Sequence, residues 1–108
     1  MKHVWVGEGV LKLASLFRKK SMGEVIRDAV LEFIEGGEGI AVDYIPTPKK
    51  LVKIDRETLY LINRMKVELG YDTQDEFLFD AVVNYAKRRG LEPLCIKNIL
   101  EVCAGEVE

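Results

Sequence analysis

The sequence predicts a mainly α-helical fold with a short two-stranded antiparallel ribbon and a C-terminal helix that closes the core. Three observations carry this. A helix-start signature recurs after 52 residues, a short β-prone segment precedes each copy, and a proline-led apolar stretch follows the second. A chain of 108 residues suffices for one ordinary domain or for two small units sharing a core. Its 48% hydrophobic and 31% charged content is that of a folded chain rather than a disordered one.

The helix starts are Ser21-Met22-Gly23-Glu24 and Thr73-Gln74-Asp75-Glu76. Both fit the capping box, in which a hydroxyl residue caps the helix and the Glu three residues on reaches back. An apolar stripe at helical spacing follows each. It is Val25, Ile26, Ala29, Val30, Phe33 and Ile34 in the first, and Phe77, Leu78, Ala81, Val82, Tyr85 and Ala86 in the second. Each helix is expected to end at glycine, at Gly36-Gly37 and at Gly90 after the cationic turn Lys87-Arg88-Arg89. These coincidences indicate an internal repeat.

A shorter amphipathic helix precedes each of these. The first shows Val10, Leu13, Ala14 and Phe17, and begins less cleanly between Gly7 and Gly9. The second shows Leu59, Ile62, Met65 and Leu69, with Asp55 as N-cap and Gly70 as its stop. Ahead of them lie His3-Val4-Trp5-Val6 and Leu51-Val52-Lys53-Ile54, β-prone segments with Val4/Val6 and Val52/Ile54 on one face. The predicted organisation is a first unit at 1–37, a linker at 38–48, a second unit at 49–90 and a closing helix in 91–108, all in one compact domain. The apolar centre of the linker, Ile40–Ile45, suits an extended segment laid on the core. Pro93 suits the first turn of the last helix, with Leu94, Ile96, Ile99, Leu100, Val102 and Cys103 apolar. Phe79 and Val83 form an extra stripe, where the first unit has Arg27 opposite Phe79, and the closing helix or another chain is expected to cover it.

Strand, short helix, turn and longer helix in about 40 residues resembles the ribbon-helix-helix family of DNA-binding regulators, the Arc and MetJ repressor type. Residues 49–90 match well, through Lys-Lys-Leu-Val-Lys-Ile-Asp-Arg-Glu-Thr-Leu and Leu-Gly-Tyr-Asp-Thr-Gln-Asp-Glu-Phe. Residues 2–37 match less closely, and the linker and tail fall outside the pattern. One strand with two helices can neither satisfy its strand hydrogen bonds nor bury both stripes, whereas two copies can. The expectation is a tandem ribbon-helix-helix pair forming an intramolecular pseudo-dimer, with a homodimer pairing halves between chains as the alternative.

The resemblance implies a sequence-specific double-stranded DNA-binding protein, a transcriptional regulator or repressor, that inserts its ribbon into the major groove. With Val52 and Ile54 inward, the base-contacting positions are Lys49, Leu51 and Lys53 on the second strand and His3 and Trp5 on the first. Lysine donates to guanine acceptors and leucine meets a thymine methyl. Edge lysines also prevent aggregation, and Trp5 has two readings, covered by protein or set against DNA. The family holds a DNA phosphate at the N-terminus of each second helix. That assigns Lys19, Lys20, Ser21, Met22 and Gly23 in the first unit, where Gly23 permits close approach, and Thr73 and Gln74 in the second, where Asp72, Asp75 and Glu76 oppose an anion. The first half is thus expected to favour phosphate and the second to favour bases.

Charge distribution is permissive. Units 1–37 and 49–90 carry net +1 and +2, while the linker and tail carry −2 and −3, within an overall −2. With one histidine, two late cysteines and no glycine-rich phosphate loop, neither catalysis nor a metal or other cofactor is expected. Cys95 and Cys103, roughly 12 Å apart along one helix, read as small buried apolar residues, with an intermolecular disulfide as the alternative. Asp28 and Asp80 read as surface residues. No apolar run approaches the roughly 20 residues of a membrane span, and no signal-peptide pattern follows Met1, so a cytoplasmic protein is expected. The rival reading is a ribbon-helix-helix protein-interaction module, antitoxin-like or oligomerising, in which the C-terminal helix contacts a protein partner and DNA binding is weak or lost.

Overall fold

The computed structural model describes residues 2–17, 21–37 and 42–105. Its element order is β1 (Lys2–Gly7), α1 (Glu8–Ser15), α2 (Met22–Gly36), β2 (Lys49–Ile54), α3 (Arg56–Glu68), α4 (Gln74–Arg88) and α5 (Pro93–Gly105). Strand, helix, helix therefore occurs twice before the closing helix. The fold is mainly helical with one two-stranded antiparallel ribbon, in which Val4 faces Val52, Trp5 faces Leu51 and His3 faces Lys53.

The helix boundaries follow from local chemistry. Ser21 and Glu24 form the full reciprocal box at the start of α2. At α4 the Thr73 hydroxyl accepts from the Glu76 N–H, and at α3 the Asp55 carboxylate accepts from the Thr58 N–H at 2.6 Å. Gly70 and Gly90 take positive φ, +79° and +92°, where a side chain would be strained. Each closes its helix with paired bonds back to the last turn. Tyr71 and Gly70 N–H groups donate to Lys66 and Val67 carbonyls, and Leu91 and Gly90 N–H groups donate to Ala86 and Lys87. The glycine stop expected for α2 works differently. Gly36 lies inside the helix and Gly37 is extended. The Gly36 carbonyl accepts from the Arg88 guanidinium of α4, so a side chain rather than a left-handed residue satisfies that end.

The second helices, α2 and α4, pack on one another at the centre, beneath the inner face of the ribbon. Val4, Val6 and Ile54 point into a core with Leu13, Ile26, Ile62, Phe77 and Leu78, all buried. At the far ends of α2 and α4, Arg89 forks onto Glu32, at 3.1 and 2.6 Å, while stacking over the Tyr85 ring. That guanidinium holds the Glu32 carboxyl below its ordinary range.

The extra stripe of α4 is buried, Phe79 fully and Val83 nearly so. Helix α5 lies mainly along α1 and touches α4 less. Phe79 meets the Tyr44 ring edge-on at 5.2 Å, so the linker contributes to its cover. The described linker residues, 42–48, form no strand, although Val42 is buried and Tyr44 and Ile45 pack on the core. Residues 40 and 41 of the expected segment lie outside the described residues.

On α5, Ile96, Leu100 and Cys103 form the buried stripe, while Leu94 and Val102 are exposed. Cys95 is exposed too, which corrects its expected burial. Spacings of four and three residues put Ile96, Leu100 and Cys103 on one face, and Cys95 falls off it. Truncating Leu100, fully buried and close to Gly9 of α1, to alanine is expected to cost about 2–5 kcal/mol, read as a lowered urea midpoint.

Candidate functional site

Alternation along the ribbon puts one row of side chains inward and the other outward. The outward row contains His3 and Trp5 from β1 and Lys49, Leu51 and Lys53 from β2, and all five are exposed. Trp5 and Leu51, cross-strand partners, are 56% and 51% exposed. The chain itself therefore does not cover Trp5, which corrects the reading in which the fold would bury it. His3 stands opposite Lys53, and Lys49 stands opposite Gly7, which has no side chain to present. Lys50 belongs to the other row and pairs with Glu8 at 3.6 Å.

The N-terminus of α2 packs beside β2, and that of α4 beside β1. The two helix starts thus flank the ribbon, although their chemistry differs. At α2, Gly23 abuts the strand so closely that a Cβ there would lie 2.6 Å from the Lys53 carbonyl oxygen. Packing against the strand is by itself a sufficient reason for glycine at this position. A groove of about 390 Å³ runs between Ser21–Glu24 and Val52–Asp55. Ser21 is exposed at its rim, and Met22 packs partly on the core. Lys19 and Lys20 lie outside the described residues.

At α4 the equivalent of Gly23 is Asp75, which is 3% exposed. Its Oδ1 accepts from the Gly7 N–H at 2.6 Å, and its Oδ2 accepts from the Tyr44 hydroxyl at 2.5 Å. Two further bonds complete this junction. The Glu8 N–H donates to the Pro48 carbonyl at 2.7 Å and the Gly9 N–H to the Thr47 hydroxyl at 3.0 Å. Three successive N–H groups at the start of α1 are thus satisfied from the linker and α4. Thr73 caps its own helix, and Gln74 donates to Asn63 at 2.6 Å. Both second-unit phosphate candidates are therefore already partnered within the chain.

Asp80 is buried, contrary to the surface placement expected for it, and its Oδ2 accepts from the Tyr71 hydroxyl at 2.5 Å. Burial raises its carboxyl above the ordinary value, an effect the Tyr71 bond opposes but does not cancel. Burial and the neighbouring carboxylate likewise push the Tyr71 phenol up. Sequence reasoning missed both tyrosine–aspartate pairs. A tyrosine just ahead of a helix that carries a mid-helix acid, as in Tyr71 and Asp80, was the one available signal.

Among the described residues no group of three or more His, Cys, Asp or Glu stands placed to hold a metal ion, and no helix is long and apolar enough to cross a membrane. Comparison with family models, with curated proteins and with solved structures finds no match in any of the three. The functional reading therefore rests on the residues themselves.

Two substitutions test this geometry. Gly23→Ala would ordinarily favour a helix by up to about 1 kcal/mol. Here the clash is with backbone, so a net loss of about 1–3 kcal/mol is expected in urea unfolding. For Asp80 the folded pKa exceeds the unfolded one, so its contribution is fully present below the ordinary aspartate value and is lost as pH rises through the raised one. Asp80→Asn keeps an acceptor for Tyr71 without the buried charge. Its stability relative to the parent is expected to rise between pH 4 and pH 7, which paired unfolding curves at the two pH values measure.

Proposed function

We propose that this chain is a sequence-specific double-stranded DNA-binding protein, a ribbon-helix-helix regulator whose two units pair within one chain. The observation that carries the reading is the outward row of the ribbon, with His3, Trp5, Lys49, Leu51 and Lys53 exposed on one face between two helix N-termini. A two-stranded ribbon fits the DNA major groove, where lysine meets guanine O6 and N7 and apolar groups meet the thymine methyl. Helix N-termini on both flanks, with their free N–H groups, suit contact with backbone phosphates. The α2 end is the better suited, having Ser21 exposed beside the groove, no carboxylate at Gly23 and, in the sequence, Lys19 and Lys20 immediately before it. Support for the pseudo-dimer comes from the register. The strand segments repeat at a spacing of 48 residues, and Val4 pairs across the ribbon with its own counterpart, Val52.

One observation favours a second reading, a protein-interaction module. Trp5 and Leu51 expose an apolar pair at mid-ribbon, and α5 exposes Leu94 and Val102. Fluorescence anisotropy with random-sequence duplex at 50 and 200 mM salt separates the two. DNA binding predicts an affinity that falls steeply with salt, and its absence at both concentrations favours the protein partner. On a preferred duplex, Lys53→Ala is expected to cost about 1–3 kcal/mol and to relax selectivity if the lysine reads a base. Lys49→Ala is expected to behave in the same way.

A further inference from the structure

The cross-strand register allows a more specific statement, which rests on the DNA-binding reading above. We propose that the ribbon reads an oriented, non-palindromic duplex site, in which Trp5 and Leu51 contact a central thymine methyl and lysines from one strand alone flank that contact.

The pairing dictates this order. Along the outward face stand Lys49 opposite Gly7, then Leu51 opposite Trp5, then Lys53 opposite His3. Successive outward pairs are about 6.8 Å apart on an extended strand, close to two base-pair rises of about 3.4 Å. The apolar pair therefore lies about two base pairs from each lysine. Both lysines belong to β2, whereas β1 presents an imidazole and an indole, its Gly7 being buried against Thr47 and Asp75. No two-fold rotation that exchanges the strands maps Lys-Leu-Lys onto Gly-Trp-His. A ribbon with these two edges makes different contacts with the two DNA strands, and a self-complementary site would leave half of its features unmatched.

The centre of the face selects the base chemistry. Trp5 and Leu51 offer exposed apolar area at its midpoint, and the methyl of thymine is the apolar group on base edges in the major groove. Lys49 and Lys53 supply the charge complementary to the duplex that surrounds it. The deep, narrow major groove of A-form RNA does not admit such a ribbon, so the occupant is DNA.

The test uses the full chain and a pool of duplexes randomised over about 12 base pairs, a length chosen to exceed the span of the ribbon. The recovered motif is expected to differ from its own reverse complement and to contain thymine at its centre. Replacing that thymine by deoxyuridine removes one methyl and should weaken binding roughly fourfold, as expected for one buried methyl-sized group. Leu51→Ala, at an exposed position, should bind thymine and deoxyuridine duplexes alike. A palindromic motif, or equal affinity of the parent chain for both duplexes, overturns this inference while leaving DNA binding intact. Retention of no duplex at any salt concentration overturns the inference and the functional reading together.

Discussion

The buried carboxylate of Asp75 is the contact on which the arrangement of the ribbon most depends. It sits in the first turn of α4, yet it binds the N–H at the junction of β1 and α1 and the hydroxyl of a linker tyrosine. One side chain thereby joins the end of a strand, the start of one helix, the start of another and the segment between the units. An acceptor removed from such a place leaves a buried donor unsatisfied, which costs more than an average hydrogen bond contributes. The comparison between the two units explains why it is needed. Asp55 caps α3 from α3's own N-cap position. The corresponding residue before α1 is Gly7, which has no side chain to cap with. The first-turn Gly9 N–H is taken instead by the Thr47 hydroxyl, while Asp75, 68 residues away, takes the N–H of Gly7 itself.

This exchange bears on the candidate site. An acid in the first turn of α4 looks, in sequence, like a group that repels phosphate from a helix start. In the fold both of its oxygens hold parts of the chain together, and its counterpart at α2 is a glycine pressed against the Lys53 carbonyl. The inequality of the two helix starts is therefore a packing property first. Any difference in how they meet an anion follows from which strand each must pack against.

Local signals made much of the fold legible. The reciprocal box at Ser21, the caps at Asp55 and Thr73, the left-handed stops at Gly70 and Gly90, and the proline at the start of α5 all act within a few residues of themselves. Strand alternation likewise put the five outward side chains on one face. What stayed hidden involves partners distant in sequence. The Arg88 bond to Gly36, the Tyr44 ring on Phe79 and the Asp75 junction have no periodicity to betray them. A mid-helix acid such as Asp80 ordinarily faces water, and the partner that lets it be buried, Tyr71, lies outside that helix. Cys95 is exposed because it falls off the buried face of α5, which apolar character alone does not reveal.

The pairing of Val4 with Val52 has one more consequence. When the two strands of a ribbon come from separate molecules, the ribbon exists only above the concentration at which they associate, and its folding is second order. Here a linker of about a dozen residues keeps the partner strand at a high effective concentration whatever the bulk dilution. The outward face is consequently assembled in every folded copy, even where a cell holds only a few. Each strand also changes one residue at a time, since a substitution in β1 is not copied into β2.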